Sequence, residues 1–152
     1  MAAETSSDAI TGLLEGAVVR SVGRAADMGV IEFAGTSGET VMVHAQCPFR
    51  IVHEGRTVLG SADMRYAQKG AGARAFDEFR MVYDARAATL NGVLGQLRPT
   101  VGGVAVGDAG ELGVSWAPAF RLTMFPDCSG TMEAWRVFVP GGAHHGYPAA
   151  TV

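Results

Sequence analysis

A pattern typical of a β-hairpin occurs twice in the chain, and it limits the possible folds more than any other feature. Residues 22–30 (VGRAADMGV) align with residues 106–114 (VGDAGELGV), and both runs begin with Val-Gly and end with Gly-Val. Continuing the alignment places residues 41–47 over residues 122–128, with Cys47 and Cys128 at equivalent positions. The β-prone segments separated by glycine predict two related β-meanders, at about residues 17–59 and 101–139.

Short β-prone runs bounded by glycine and proline predict the individual strands. These runs cover residues 17–23, 30–33, 41–44, 49–52 and 57–59 in the first meander, and residues 101–106, 111–116, 120–125 and 133–139 in the second. Residues 60–75 are rich in glycine and small side chains, and they predict an irregular connection.

Between the two meanders, apolar residues recur at steps of three and four, which is typical of one face of an amphipathic helix. The residues in this pattern are Phe76, Phe79, Tyr83, Ala87, Leu90, Leu94 and Leu97. We expect a helix over residues 84–97 that ends before Pro99, because proline cannot continue a helix. Residues 76–83 are compatible with either helix or extended chain.

The chain has 152 residues, of which 48% are hydrophobic and 18% charged, and these values indicate one folded domain. The predicted fold class is α+β, mainly antiparallel β, with two pseudo-repeated meanders forming a half-barrel or roll and one amphipathic helix packed on the sheet. We expect this domain to cover residues 13–140. Residues 1–12 are predicted to form a flexible N-terminal tail, with a short helical turn reaching Leu13 and Leu14, and residues 141–152 a C-terminal tail.

Charge and hydropathy exclude several classes of partner. Twelve basic and 15 acidic residues give a net charge of −3, and the basic residues are not clustered, which argues against nucleic acid and anionic membrane surfaces. No apolar run approaches the roughly 20 residues that cross a bilayer. The N-terminus lacks the features of a signal peptide, so we expect a cytoplasmic protein of a bacterium. Two cysteines are too few for a disulfide scaffold, and we expect both thiols to be free.

Six charged residues lie in or beside strands that are otherwise apolar, and they are the candidate binding residues: Arg50, Asp63, Arg121, Asp127, Glu133 and Arg136. Charges near a core are seldom unpaired, so Glu133 or Asp127 could form ion pairs with Arg50 or Arg136 that fix strand register. Alternatively, the charged set lines a polar pocket or a patch that faces a partner.

Trp135 is a seventh candidate, although core positions are the favoured interpretation for the aromatic residues Trp116, Phe120, Trp135 and Phe138. Trp135 and Phe138 are three positions apart and cannot both face inward on a regular strand. One of them is therefore expected outside, and an exposed tryptophan beside an arginine is typical of a protein-binding hot spot.

Metal binding and thiol chemistry are weaker alternatives. The spacing of His44 and Cys47 can hold a metal, with Cys128, His144 or His145 completing the site. Residues three apart on a strand point to opposite faces, however, so buried structural cysteines are the favoured interpretation. A nucleophilic Cys47 would need a lowered pKa and an oriented base. We expect no metal and no cofactor, and no phosphate-loop motif occurs.

Four segments together resemble a family of small bacterial proteins of unknown function. They are HAQCPFRI at residues 44–51, GSAD at 60–63, FPDCS at 125–129 and EAWRVF at 133–138. Members of the family carry H-x-x-C-x-[WF]-R-[IL], G-S-x-D, F-P-D-x-S and E-x-W-R-x-F in this order. The resemblance covers about residues 18–145, implies the domain outline, and brings no established activity.

Three functions are compatible with these observations. The first is a non-enzymatic binding or interaction protein, such as an immunity-type or accessory factor, that holds a protein partner on the open face of its sheet. The second is a small β-rich enzyme or small-molecule carrier with a polar pocket near Arg50, Asp127 and Arg136. The third is a metal sensor that uses His44, Cys47 and Cys128. The pseudo-symmetry also makes a homodimer conceivable.

Overall fold

The computed structural model describes residues 6–149 and shows an α+β fold with two open antiparallel sheets of five strands each. The elements are α1 (Ser6–Leu14), β1 (Val18–Ala25), β2 (Met28–Ala34), β3 (Thr40–Ala45), β4 (Phe49–His53), β5 (Arg56–Gly60), a 3₁₀ helix (Ser61–Arg65), α2 (Val82–Leu97), β6 (Val101–Val106), β7 (Leu112–Trp116), β8 (Phe120–Met124), β9 (Trp135–Phe138) and β10 (His144–Tyr147). Sheet A has the order β1-β2-β3-β9-β10, and sheet B has the order β5-β4-β8-β7-β6. The predicted fold class is confirmed, although neither sheet closes into a barrel.

The two halves of the chain follow the same path. Each half is a helix followed by three strands in one sheet and two strands in the other, so each sheet combines strands from both halves. A register shift falls between Val19 and Ser21 in β1, and another falls between Val101 and Gly103 in β6. Where the two halves meet, the Val19 amide donates to the Pro99 carbonyl, and the Val101 amide donates to the Ala17 carbonyl, both at 2.8 Å.

Strand register shows that the residue-by-residue alignment of the two halves was shifted. The register matches Phe49, Arg50 and Ile51 of β4 with Trp135, Arg136 and Val137 of β9. Each set occupies the same position beside its neighbouring strands. Cys47, two residues before Phe49, therefore corresponds to Glu133 and not to Cys128, and the prediction of equivalent cysteines is wrong. Cys47 is buried, whereas Cys128 is exposed.

One kind of turn occurs at two places that are not equivalent in the two halves. Residues 35–39 (GTSGE) and 107–111 (GDAGE) form the same turn, although one joins β2 to β3 and the other joins β6 to β7. In both turns the amide of the first glycine donates to the carbonyl of the glutamate, at 2.7 Å and 2.8 Å. Gly38 and Gly110 have φ values of +86° and +84°, which glycine adopts without steric cost.

Helix α2 was predicted over residues 84–97, and the structure shows it over Val82–Leu97. Asp84 accepts a hydrogen bond from the Met81 amide at 2.9 Å, which satisfies a free donor at the helix start. The helix packs against β1 and β5, the edge strands of the two sheets. The Asn91 side chain accepts from the Val22 amide and donates to the Val22 carbonyl, so that α2 covers the open edge of β1.

The predicted N-terminal tail is wrong for residues 6–12, because these residues belong to α1. Ile10 and Leu14, one turn apart, are buried, and α1 contacts β6 and β10 just as α2 contacts β1 and β5. The amphipathic helix is therefore not unique to the connection between the meanders. Residues 1–5 lie outside the described part of the chain.

The predicted C-terminal tail is wrong for residues 144–147, which form β10 and pair with β9. The Ala134 amide donates to the Tyr147 carbonyl at 2.7 Å, and the Tyr147 ring stacks on Trp135. Sequence patterning missed this strand because two histidines and a glycine provide no hydrophobic alternation. Residues 150–152 lie outside the described residues.

The inward-facing side chains of both sheets and the apolar faces of both helices form one hydrophobic core. The outward-facing side chains of the sheets are left for other contacts. Within residues 6–149, no helix has the length and apolar character that a membrane crossing requires.

The irregular segment before α2 is held by Arg24, whose side chain is only 1% exposed. Its guanidinium makes two hydrogen bonds to the Asp84 carboxylate, at 2.8 Å and 2.9 Å, and one to the Phe76 carbonyl at 2.7 Å. The rings of Phe76 and Phe79 lie 4.4 Å and 4.3 Å from the guanidinium carbon. Burial by itself would raise the pKa of Asp84, but the hydrogen bonds and charge of Arg24 and the Met81 amide hold it below its usual value.

Candidate functional site

The outer face of sheet B brings two of the candidate arginines together. Alternation along the strands turns Arg50 of β4 and Arg121 of β8 outward. Arg50 lies opposite Thr123, and Arg121 lies opposite Val52, so the two arginines are diagonal neighbours across adjacent strands. Diagonal neighbours are about 7–8 Å apart, close enough for one ligand to contact both side chains.

Small residues on the neighbouring strands leave an open groove beside these arginines. Its volume is about 730 Å³, and its lining includes both arginines together with Ser115, Thr123 and Phe125. A second depression of about 530 Å³ extends over Gly103, Ala105, Gly113 and neighbouring residues of β6 and β7. A Cβ atom at Gly103 would lie only 2.8 Å from the Ser115 hydroxyl, so glycine at this position keeps the hydroxyl accessible.

The two arginines have no charge partner within residues 6–149. Neither Arg50 nor Arg121 forms an ion pair in this part of the chain. The Arg50 guanidinium lies 5.7 Å from the centre of the Phe125 ring, and Phe125 is 41% exposed. Glu54, at the far end of β4, is the one carboxylate among the described lining residues. Within residues 6–149, the groove therefore presents two arginines without an ion-pair partner, two hydroxyl groups and an exposed aromatic ring.

The corresponding arginine of sheet A is neutralised. The Arg136 guanidinium donates to the Glu133 carboxylate at 3.0 Å, which is one of the ion pairs that the sequence suggested. His44 and His144 flank Phe138 beside this pair, at ring distances of 4.7 Å and 4.8 Å. Burial and the charge of Arg136 lower the pKa of His44, while Glu133 opposes that shift.

The pocket predicted around Arg50, Asp127 and Arg136 is not formed. Arg50 lies on sheet B and Arg136 on sheet A, where Glu133 neutralises it. Asp127 is exposed in the segment after β8 and does not line the groove. Asp63 is also separate, since its carboxylate accepts a hydrogen bond from the Gly60 amide at 2.9 Å at the start of the 3₁₀ helix.

Trp135 is not the exposed hot spot that alternation suggested. It is only 1% exposed, and its indole nitrogen donates to the Gly110 carbonyl at 2.7 Å. Trp135 faces the core and Phe138 the opposite side, as the spacing required, but the two histidines cover Phe138. Facing outward is therefore not the same as being accessible.

The described residues do not assemble the chemistry considered for His44, Cys47 and Cys128. In residues 6–149, no group of three or more His, Cys, Asp or Glu side chains could hold a metal ion. Burial, with a smaller contribution from the charge of Asp127, raises the pKa of the Cys47 thiol to about 11. A thiol in this state is a poor nucleophile at neutral pH.

Several groove residues were missed in the sequence. The groove residues Ser115, Thr123 and Phe125, and Gly113 of the second depression, attract no attention singly, because each is an ordinary strand or turn residue. The usable signal was the pairing of β7 with β8, since it aligns Ser115 with Arg121 and Gly113 with Thr123. The chain matches no protein-family model, no curated protein and no solved structure.

Proposed function

We propose that the protein is a non-enzymatic binding protein that holds an acidic segment of a protein partner on the outer face of sheet B. The observation that carries this proposal is a pair of arginines, Arg50 and Arg121, that lie beside an open groove and form no ion pair with any other described residue. An immunity-type or accessory role in a bacterial cytoplasm agrees with it.

The chemistry of the groove favours carboxylates. A guanidinium presents paired N–H donors that match the two oxygens of a carboxylate, and such charge-assisted bonds are stronger than neutral ones. Ser115 and Thr123 add hydroxyl groups, and Phe125 adds an exposed ring next to Arg50. Arginine and aromatic side chains dominate the binding energy of many protein interfaces.

A protein partner is favoured over a nucleic acid by the charge of the whole molecule. The net charge is −3, and two arginines do not make the extended basic surface that phosphate backbones require. A binding role is favoured over catalysis because the described groove holds no cysteine or histidine beside its serine and threonine. A hydroxyl nucleophile needs an adjacent general base.

The proposal is tested with a fluorescent peptide of ten glutamates, whose binding is followed by anisotropy at low salt. We expect Arg50→Gln and Arg121→Gln each to weaken binding about tenfold, because each removes one charge-assisted contact. Arg136→Gln is the matched control, because Arg136 occupies the corresponding place on sheet A and is already paired. Binding should also weaken as salt rises.

Equal losses in the Arg136→Gln control and the two groove variants would overturn the proposal, as would unchanged binding in the double groove variant. Glutarate serves as a small dicarboxylate competitor. If glutarate bound as tightly as the peptide, the groove would belong to a small-molecule carrier instead.

A further inference from the structure

We propose that the groove between β5 and α2 is a second binding site, which takes a small amphipathic carboxylate with an alkyl or aromatic body. The groove has a volume of about 450 Å³, within the usual range of small-molecule sites of roughly 300–1,000 Å³. It is distinct from the sheet B face, although Glu54 and Phe120 contribute to both.

The floor of this groove is apolar. Val58 of β5, Leu90 and Val93 of α2, and Phe120 of β8 line it. Val93 is 38% exposed, whereas Leu90 and Leu94 on the same helix are nearly inaccessible. The apolar surface of α2 therefore continues out of the core into the groove, where the body of a ligand would remove it from water.

The walls carry two positive charges. Arg56 stands on β5 and Arg86 on α2, so the two guanidinium groups approach the groove from different elements. Neither forms an ion pair within residues 6–149. Glu54 is the acidic residue of this lining, and with Arg56 and Arg86 it leaves a net positive charge. A ligand with one carboxylate would compensate that charge.

His53 also lines the groove, and its side chain carries a polar atom without a hydrogen-bond partner among the described residues. Its ring is stacked on Phe120 at 4.0 Å, and its Nε2 atom is buried with no hydrogen-bond partner in the described chain. The nearest carboxylate oxygen, on Glu54, is 3.9 Å away, which is too far for a hydrogen bond. Buried polar atoms without a partner are uncommon, and they often mark positions that a ligand or water completes.

The proposal is tested with two probes of equal chain length, decanoate and 1-decanol, both below the concentrations at which they aggregate. Binding is followed by the amide NMR shifts of Thr57, Thr89 and Val93, which report on the groove itself. We expect decanoate to bind about tenfold more tightly than decanol. Arg56→Gln and Arg86→Gln should each weaken decanoate binding threefold to tenfold and leave decanol binding unchanged.

Arg121→Gln is the control, since Arg121 does not line the groove between β5 and α2, and it should leave decanoate binding unchanged. The same variant weakens binding of the glutamate peptide if the proposed function is correct, so the two proposals fail independently. Equal affinity for the two probes would overturn the second site. So would shifts that map elsewhere, an unchanged decanoate affinity in the Arg56→Gln/Arg86→Gln double variant, or the absence of saturable decanoate binding.

Discussion

The outer faces of the two sheets share one backbone plan but differ in their chemistry. On sheet A, Arg136 is paired with Glu133, and Met42, Val30 and Phe138 cover the surface around it. On sheet B, Arg121, Gly113 and Val52 occupy the positions of those three residues. Cys47 occupies the position of Glu133, so Arg50 has no carboxylate three residues before it.

Strand register therefore sets where an arginine lies, whereas its neighbours decide what it does. Arg136 and Arg50 hold equivalent positions, yet one contributes to an ion pair within the fold and the other remains available. The equivalent strands β1 and β6 show the same contrast. Arg24 of β1 is buried in a full set of contacts, and Val106 occupies its place in β6.

Breaking the Arg24 contacts should have the largest effect on stability. Asp84→Ala leaves a buried guanidinium without its carboxylate, and we expect a loss of about 3–5 kcal/mol in the free energy of unfolding, measured in urea. Arg20→Ala, which removes an exposed ion pair on the same strand, should cost less than about 1 kcal/mol. Similar losses in the free energy of unfolding of the two variants would show that the buried Arg24–Asp84 pair is not a special stabilising feature of the first half of the chain.

The pH dependence of stability provides a second measure of the same pair. The folded pKa of Asp84 is lower than the unfolded pKa, so its contribution is present above the unfolded value. That contribution is lost as pH falls through the lowered pKa, and stability should decrease on acidification. Asp84→Asn should reduce this loss of stability at acidic pH. An unchanged pH dependence in this variant would contradict the assignment.

Trp135→Phe should have an intermediate effect, and it tests the difference between β9 and β4 directly. Phenylalanine is the residue at the equivalent position, Phe49, so the ring should fit the core. The Gly110 carbonyl loses its indole donor, however, and we expect a loss of about 1–3 kcal/mol, measured by thermal or urea unfolding. Binding of the glutamate peptide should not change. Weaker peptide binding in this variant would indicate that Trp135 belongs to the binding surface.

Copying sheet B onto sheet A should create a second acidic-peptide site. The double variant Met42→Arg/Glu133→Gln gives sheet A the free arginine pair of sheet B. We expect the stoichiometry of glutamate-peptide binding by calorimetry to rise from one to two. Glu133→Gln by itself should change the free energy of unfolding by less than about 1 kcal/mol, because Arg136 is 38% exposed. A stoichiometry that stays at one would show that two free arginines are insufficient without the glycine-lined groove.

The cysteines should differ in reactivity without any change in stability. With a pKa of about 11, roughly one thousandth of Cys47 is thiolate at pH 8, and the side chain is buried. Iodoacetamide should therefore label Cys128 first, with single labelling seen by mass spectrometry before any double labelling. Equal rates at both positions would mean that the two cysteines occupy similar environments after all.

Much of the fold could be predicted from the sequence, because hydrophobic spacing reports which side of an element faces the core. The β-prone runs located nine of the ten strands, and the steps of three and four located α2. The strand at residues 144–147 and the helix at residues 6–14 were assigned to tails. Both are short, and both are held by contacts with distant elements that local patterning does not contain.

The candidate site could be predicted only in part. Arg50 and Arg121 stood out because charged residues are unusual in apolar strands, but so did Arg136, Asp127 and Asp63. Separating these residues required strand pairing, since only the pairing shows which charges meet a partner.

By itself, the sequence determined the class of the fold, the alternation of its strands and the position of its central helix, because these depend on the spacing of apolar residues. Tertiary structure decided that each sheet combines strands from both halves, that Trp135 is buried, and that, within residues 6–149, Arg50 remains unpaired while Arg136 does not. Those outcomes depend on which residues from distant parts of the chain become neighbours, and neighbours across a sheet are set by register.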